Sequence, residues 1–329
     1  MNREGPDKIR YLDFTWSPII GCTNGCSYCW ARRQAKRQKH NCKKCYDFVP
    51  HLHPERLDEP LKKRDPFVIG AVFMGDLFDP AMPDSARDEV FGVMAATAQH
   101  TFVVLTKQPA GACRYFDLST DNREEDIGAE ALRLSGGKHS GLVELPLPNL
   151  VLGVSITDQE SADRLIPELL ECPAATRIVS IEPMLGPVDI YPHICAARRQ
   201  QRQCGAPDSS LAGYCHSPCD PCEDFDAATC GRLDGVILGG ETGPGAVPMH
   251  PDWVRSVRDQ CAEARVPFYF KQWGDEVFPE AMTDEVYAEV DAAVNLAGFP
   301  GALRIGRKRA GRVLDGRTWD AVAWKEGGA

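Results

Sequence analysis

No stretch of this 329-residue sequence approaches the roughly 20 consecutive apolar residues that a membrane-spanning helix needs. Residues 1–10 carry charges and a proline where a secretory signal would have an apolar core, so the expected compartment is the cytoplasm. An excess of positive charge is also missing. The net charge of −10 argues against general coating of nucleic acid, which depends on neutralising phosphates. Two local basic runs remain, one at Arg32, Arg33, Lys36, Arg37, Lys39, Lys43 and Lys44, the other at Arg304, Arg307, Lys308, Arg309 and Arg312. Each reads first as solvated surface. There is no internal repeat, which sets solenoids and propellers aside. The glycine-rich segment Gly239-Gly240-Glu241-Thr242-Gly243 lacks both the G-x-G-x-x-G spacing and a Gly-Lys-Ser/Thr ending, so it is neither a dinucleotide fingerprint nor a P-loop.

What is present is an alternation. Apolar, β-branched stretches at residues 11–16, 66–74, 101–105, 150–154, 177–181, 234–238 and 267–270 predict seven strands. Between several of them lie helical patterns, clearest at residues 85–98, 160–170 and 251–264, where apolar side chains recur every three or four positions. Pro251 followed by Asp252 suits the first turn of the last of these helices. Strands alternating with helices predict an α/β fold with a parallel sheet. Residues 117–148 and 195–230 break the rhythm and read as insertions. The segment 281–329, with a helical pattern at residues 283–297, reads as a basic appendage to a domain spanning residues 1–280.

Fourteen cysteines in a chain of this length point to metal binding in a reducing compartment rather than to a disulfide framework. Directly after the first predicted strand stands Cys22-x3-Cys26-x2-Cys29, with Gly21 and Gly25 allowing a tight loop. Three thiolates on one loop suit three irons of a 4Fe–4S cluster and leave the fourth iron open. The competing reading is a structural zinc, with Cys42 and Cys45 supplying the second pair of ligands.

This spacing, with Tyr28 before the last cysteine, resembles the radical S-adenosylmethionine (radical SAM) superfamily. Over most of its length the chain is also similar to a phage-associated three-cysteine-motif family of uncharacterised proteins. The matching stretches include Thr15-Trp16-Ser17-Pro18, Asp76-Leu77-Phe78, Val104-Leu105-Thr106-Lys107, Ile181-Glu182-Pro183-Met184, Gly239-Gly240-Glu241 and Phe270-Lys271-Gln272-Trp273. The resemblance implies an incomplete parallel (β/α) barrel of six or seven strands with a Cys-rich insertion. It implies a 4Fe–4S cluster on Cys22, Cys26 and Cys29, S-adenosylmethionine on the open iron, and an electron donor such as flavodoxin or ferredoxin. Cofactor contacts are expected at Tyr28, at Gly75 and Asp76, which stand where relatives carry a Gly-Gly-Glu-like segment, and at Ser155 and Glu182. The substrate is not legible; a nucleotide, a nucleic-acid base or a partner protein is compatible with the phage association and the basic runs.

Polar residues recur where the predicted strands end: Asp76, Thr106-Lys107-Gln108, Ser155, Glu182, Glu241 and Lys271-Gln272-Trp273. In a parallel barrel those ends line one mouth, which makes Glu182, Glu241 and Lys271 the catalytic candidates. Trp273 reads either as a flat contact for substrate or as a lid. A second cysteine group, Cys204, Cys215, Cys219, Cys222 and Cys230, with Cys195 nearby, repeats the C-x3-C-x2-C spacing inside a segment too polar to fold by burial. It suggests structural zinc or an auxiliary iron–sulfur cluster. Cys42 and Cys45 either join one of these sites or hold their own metal with His40, His51 or His53. Cys113, Cys172 and Cys261 stand apart and are expected as buried apolar residues. Outside catalysis, the same features fit a zinc- or cluster-stabilised module that binds nucleic acid or protein, and a degenerate scaffold that keeps its cluster for structure is a third reading.

Overall fold

A computed structural model describes residues 1–5, 8–117, 122–194, 232–296 and 301–324. The second cysteine group, Cys204, Cys215, Cys219, Cys222 and Cys230, lies outside the described residues, as does Cys195. The chain divides into two compact units, one formed by Met1–Ser155 with Glu171–Arg177 and the other by Ile156–Leu170 with Ile178–Ala329.

In the first unit the strands are β1 (Asn2–Arg3), β2 (Phe14–Trp16), β3 (Ile19–Ile20), β4 (His51–Leu52), β5 (Val68–Ala71), β6 (Thr101–Thr106) and β7 (Leu150–Ile156). β2, β5, β6 and β7 pair in that order and are parallel, with β1 antiparallel on the edge of β2. β3 and β4 form a separate antiparallel pair, Ile19 opposite Leu52 and Ile20 opposite His51. The helices are α1 (Trp30–Ala35), α2 (Lys43–Asp47), α3 (Asp84–Ala95), α4 (Pro109–Tyr115) and α5 (Arg123–Leu134). In β6 the successive residues Phe102, Val103 and Val104 are fully buried, as a strand covered on both faces requires, and Phe91 of α3 and Phe78 after β5 are buried with them.

The second unit holds β8 (Thr176–Ile181), β9 (Gly235–Gly239) and β10 (Phe268–Gln272), which pair in chain order and are parallel, followed by a small antiparallel pair, β11 (Glu276–Val277) and β12 (Leu303–Arg304). Its helices are α6 (Gln159–Glu171), α7 (Tyr191–Ile194), α8 (Pro251–Glu263), α9 (Asp284–Val294) and α10 (Arg307–Ala310). α6 buries Ala162, Leu165, Ile166, Leu169 and Leu170, the three- and four-residue spacing seen in the sequence. α8 starts with Pro251 in its first turn, and Asp252 N donates to the His250 ring at 3.2 Å. The chain is therefore α/β with a mostly parallel sheet, and all seven expected strands are present.

The segment 117–148 contains α5, which packs so closely on α3 that a Cβ built on Gly92 would stand 2.7 Å from Glu130 Cβ. The residues beyond 281 are tied into the second unit: Phe270 N donates to Trp319 O at 3.0 Å, and Arg312 Nε donates to Phe270 O at 3.1 Å. Cys113 and Cys172 are joined in a disulfide with Cα atoms 4.6 Å apart, while Cys261 is fully buried and free.

His100, fully buried beneath β6, gives the first unit a pH dependence. Phe67 N donates to its Nδ1 at 3.3 Å, and its Nε2 faces Pro60 O at 3.2 Å, so the ring is neutral with its proton on Nε2. Burial holds its pKa below the ordinary value. The unfolded chain then binds the proton more readily, so this contribution is complete above about pH 6.5 and is lost as the pH falls below it. The denaturant midpoint is expected to drop between pH 7 and 5, and His100→Asn to flatten that slope. An unchanged slope in the variant would assign the acid sensitivity elsewhere.

Candidate metal centre and strand-end site

The loop carrying Cys22, Cys26 and Cys29 begins where β3 ends, and backbone contacts allow little freedom there. Gly21 has φ +94°, forms a parallel bridge to Gly75, and donates its N–H to Met74 O at 3.0 Å. A Cβ on Gly75 would stand 2.7 Å from Gly21 O, so glycine is required for that approach. Thr23 places both its backbone N–H and its hydroxyl on Asp79 Oδ2, at 2.6 and 2.8 Å. Asn24 Nδ2 donates to Asp76 Oδ2 at 3.1 Å. Cys22 and Cys29 pack against the cluster of Ala31, Ala35 and Phe48. The Cys29 thiol accepts Arg32 N at 3.3 Å at the start of α1. Burial pushes the Cys22 thiol up to about 11, against the pull of a backbone hydrogen bond at Asn24 and with the Asp76 carboxylate adding to the rise.

Asp76 is almost entirely buried, and its four acceptor positions are all used. Oδ1 takes the Thr106 hydroxyl at 2.7 Å and Phe78 N at 3.1 Å; Oδ2 takes Lys107 N at 2.9 Å and Asn24 Nδ2 at 3.1 Å. Burial pushes this carboxyl up, and the four hydrogen bonds pull it back. Asp76 is a hub that fastens the cysteine loop to the end of β6. Nearby, Lys107 lies 5.5 Å from the centre of the Tyr28 ring and its Nζ donates to Ser155 O at 2.9 Å. Tyr28, Gly75, Asp76 and Ser155 thus share the C-terminal strand ends of the first unit.

Glu182 and Lys271 belong to the second unit and meet as an ion pair at 2.5 Å between Oε1 and Nζ, both side chains mostly buried. The flanking apolar residues that bury Glu182 required such a partner. Glu241 is turned onto its own loop, its Oε2 accepting Val247 N at 2.9 Å. The Gly239-Gly240 turn serves close packing, since a Cβ on Gly240 would lie 1.9 Å from Trp273 O. Trp273 is 2% exposed, donates Nε1 to Val313 O at 2.9 Å and packs on Phe270. It is a core residue and neither a lid nor a flat surface for substrate.

Among the described residues, the donors that converge are Cys42, Cys45, His51 and His53, whose ligand atoms lie within 4.8 Å of one another. Cys42 and Cys45 flank the first turn of α2, and Cys45 N donates to the Cys42 thiol at 3.3 Å. His51 and His53 are two apart along the β4 strand direction and so face the same side, their ring centres 4.5 Å apart. Of the three histidines the sequence offered, His40 is exposed and outside the group. This is a Cys2His2 donor set able to hold a metal such as zinc.

The molecule is thus an α/β protein with a mostly parallel sheet, a three-cysteine loop at a strand end and a separate Cys2His2 group. Residues 6–323 match the family described as protein of unknown function (DUF5131), and the chain belongs to that family. No curated protein matches it, and no solved structure does.

Proposed function

We propose that this chain is a radical SAM enzyme on an incomplete parallel (β/α) barrel, and that its family kinship extends to the phage-associated three-cysteine-motif proteins. The observation that carries the reading is a loop of three thiols that comes after the parallel strand β2 and the short β3 and is fastened through Asp76 and Asp79 to the segment following β5 and to the end of β6. The donor set suits a 4Fe–4S cluster with one open iron. Arg32 adds a second point of fit: its guanidinium reaches Cys22 O at 3.5 Å while its buried Nε has no protein partner, which favours a neighbouring anionic group. Cys22, Cys26 and Cys29 would hold such a cluster, which with S-adenosylmethionine and an electron from a donor such as flavodoxin or ferredoxin would supply a 5′-deoxyadenosyl radical for hydrogen abstraction.

The chain's own residues have simpler tasks. Cys22, Cys26 and Cys29 bind, and the Gly21–Gly75 contact fixes where Cys22 starts. Asp76 and Asp79 orient the loop, and Tyr28, Lys107 and Ser155 line its surroundings. In the second unit the Glu182–Lys271 pair is the candidate for moving a proton or holding substrate charge. For the substrate we propose a nucleotide or nucleic-acid base, a class compatible with the resemblance to phage-associated proteins and with the first basic run.

The convergent Cys2His2 group favours a second reading, a non-catalytic zinc-stabilised module for nucleic acid or protein. Against it, Arg304 pairs with Asp275 and Glu276, Arg309 with Glu289, and Arg312 with Asp320, so much of the second basic run is neutralised internally.

The test is anaerobic iron–sulfide reconstitution, dithionite reduction with S-adenosylmethionine, and chromatography for 5′-deoxyadenosine. Wild type is expected to form the product, and the Cys22→Ala, Cys26→Ala, Cys29→Ala triple variant to form none. A colourless protein that leaves S-adenosylmethionine intact, yet binds nucleic acid in a salt-dependent way, would put the binding module first.

A further inference from the structure

We infer that Cys42, Cys45, His51 and His53 bind one zinc ion as a closed structural site, and that this ion braces the segment from which the three-cysteine loop departs. In tetrahedral zinc sites, bonds of about 2.3 Å to sulfur and 2.0–2.1 Å to nitrogen place S and N ligands roughly 3.5–3.6 Å apart. Here Cys42 Sγ and Cys45 Sγ each lie 3.5 Å from His51 Nε2, and Cys45 Sγ lies 3.2 Å from His53 Nε2. The protein has therefore gathered the donors at the edges of such a tetrahedron.

The outer contacts agree. His51 Nδ1 lies 2.7 Å from Val49 O, and His53 Nδ1 lies 2.7 Å from Glu55 Oε1. Both contacts hold the ring proton on Nδ1 and leave each Nε2 lone pair toward the sulfurs, the arrangement that orients metal-bound imidazoles. With two thiolates and two imidazoles the coordination shell is full. No position is open for substrate, so the role is structural.

Three backbone contacts connect the group to the cysteine loop. Ile20 pairs with His51 across β3 and β4, and His53 N donates to Pro18 O at 2.7 Å. The Val49 carbonyl is so close to Gly21 that a Cβ there would stand 2.6 Å from it. Fixing His51 and His53 thus fixes residues 18–21, immediately before Cys22.

The test uses metal analysis on the full chain. Cys42→Ser with Cys45→Ser should lower bound zinc by one equivalent per chain, whereas the triple variant at Cys22, Cys26 and Cys29 should keep that equivalent. The second result separates this site from the radical SAM reading, because zinc would remain even if that reading failed. Cobalt alone, added to metal-free wild type, should give tetrahedral d–d bands and thiolate charge-transfer absorption that the Cys42→Ser, Cys45→Ser variant lacks. If that variant folds poorly, Glu55→Gln gives a milder route: Glu55 is solvent-exposed, and trading its carboxylate for a neutral, weaker acceptor of the His53 Nδ1 proton should weaken zinc by about 10-fold in chelator competition. Equal zinc in wild type and the double variant, with no change in affinity for Glu55→Gln, would overturn the assignment. So would a missing equivalent that proves to be iron.

Discussion

Asp76→Asn should destabilise the protein by roughly 3 kcal/mol, because one carboxylate is the acceptor for four donors at once. An amide of the same shape presents an N–H2 group to at least one fixed backbone donor, Lys107 N or Phe78 N, and leaves it unpaired in a buried place. Thr106→Val, which removes one donor to Asp76 and the hydroxyl that accepts Gln108 N, should cost less, about 1–2 kcal/mol. The two are compared by urea denaturation, with a shifted midpoint at constant m. On the radical SAM reading the same variant also loses iron loading, since the Asn24 anchor of the cysteine loop goes with it. An Asp76→Asn midpoint within about 0.5 kcal/mol of wild type, the scatter of ordinary surface changes, would mean that the hub relaxes and does not organise the loop.

The role of Asp76 shows where the sequence was readable and where it stopped. Position was legible: an acid after a buried apolar strand falls at a strand end, and all seven strands were found because buried parallel strands are continuous apolar runs. Whether the acid faces outward or inward was not, because that depends on Thr106 and Asn24, 30 and 52 residues away. The same limit applies to Trp273, whose ring disappears into contacts with Phe270 and Val313, and to Glu241, spent on Val247. Cys42 and Cys45 were visible as a pair, but the choice of His51 and His53 over His40 needed the β3–β4 pairing. Cys113 and Cys172 lie 59 residues apart, and no local spacing marks them as partners. Residues 117–148 read as an insertion because charge and glycine outweigh the apolar face of α5, of which Ile127 and Ala131 are fully buried.

That helix is held by the other large effect we expect: Arg123→Ala should cost about 3–5 kcal/mol. Arg123 Nη1 lies 2.8 Å from Asp88 Oδ1 with its own side chain 4% exposed, Nε donates to Tyr115 O at 3.1 Å, and the guanidinium stacks 4.3 Å from the Tyr115 ring centre. The Tyr115 hydroxyl donates to the same Asp88 oxygen at 2.8 Å. Truncating the arginine leaves Asp88 charged and largely enclosed, and that penalty exceeds the worth of the pair itself. Burial already pushes the Asp88 carboxyl above its ordinary value, with Tyr115 and Arg123 pulling it down. Without Arg123 it rises further, so the folded variant holds the proton more tightly than the unfolded chain. Such a group loses stability as the pH rises, and the deficit of Arg123→Ala should therefore shrink between pH 7 and 4. Pairing Arg123→Met with Asp88→Asn removes both charges and should recover most of the loss, since an apolar replacement of a buried pair is often neutral. A deficit equal at both pH values and unrelieved in the double variant would show that Arg123 acts through packing on Tyr115 instead of through charge.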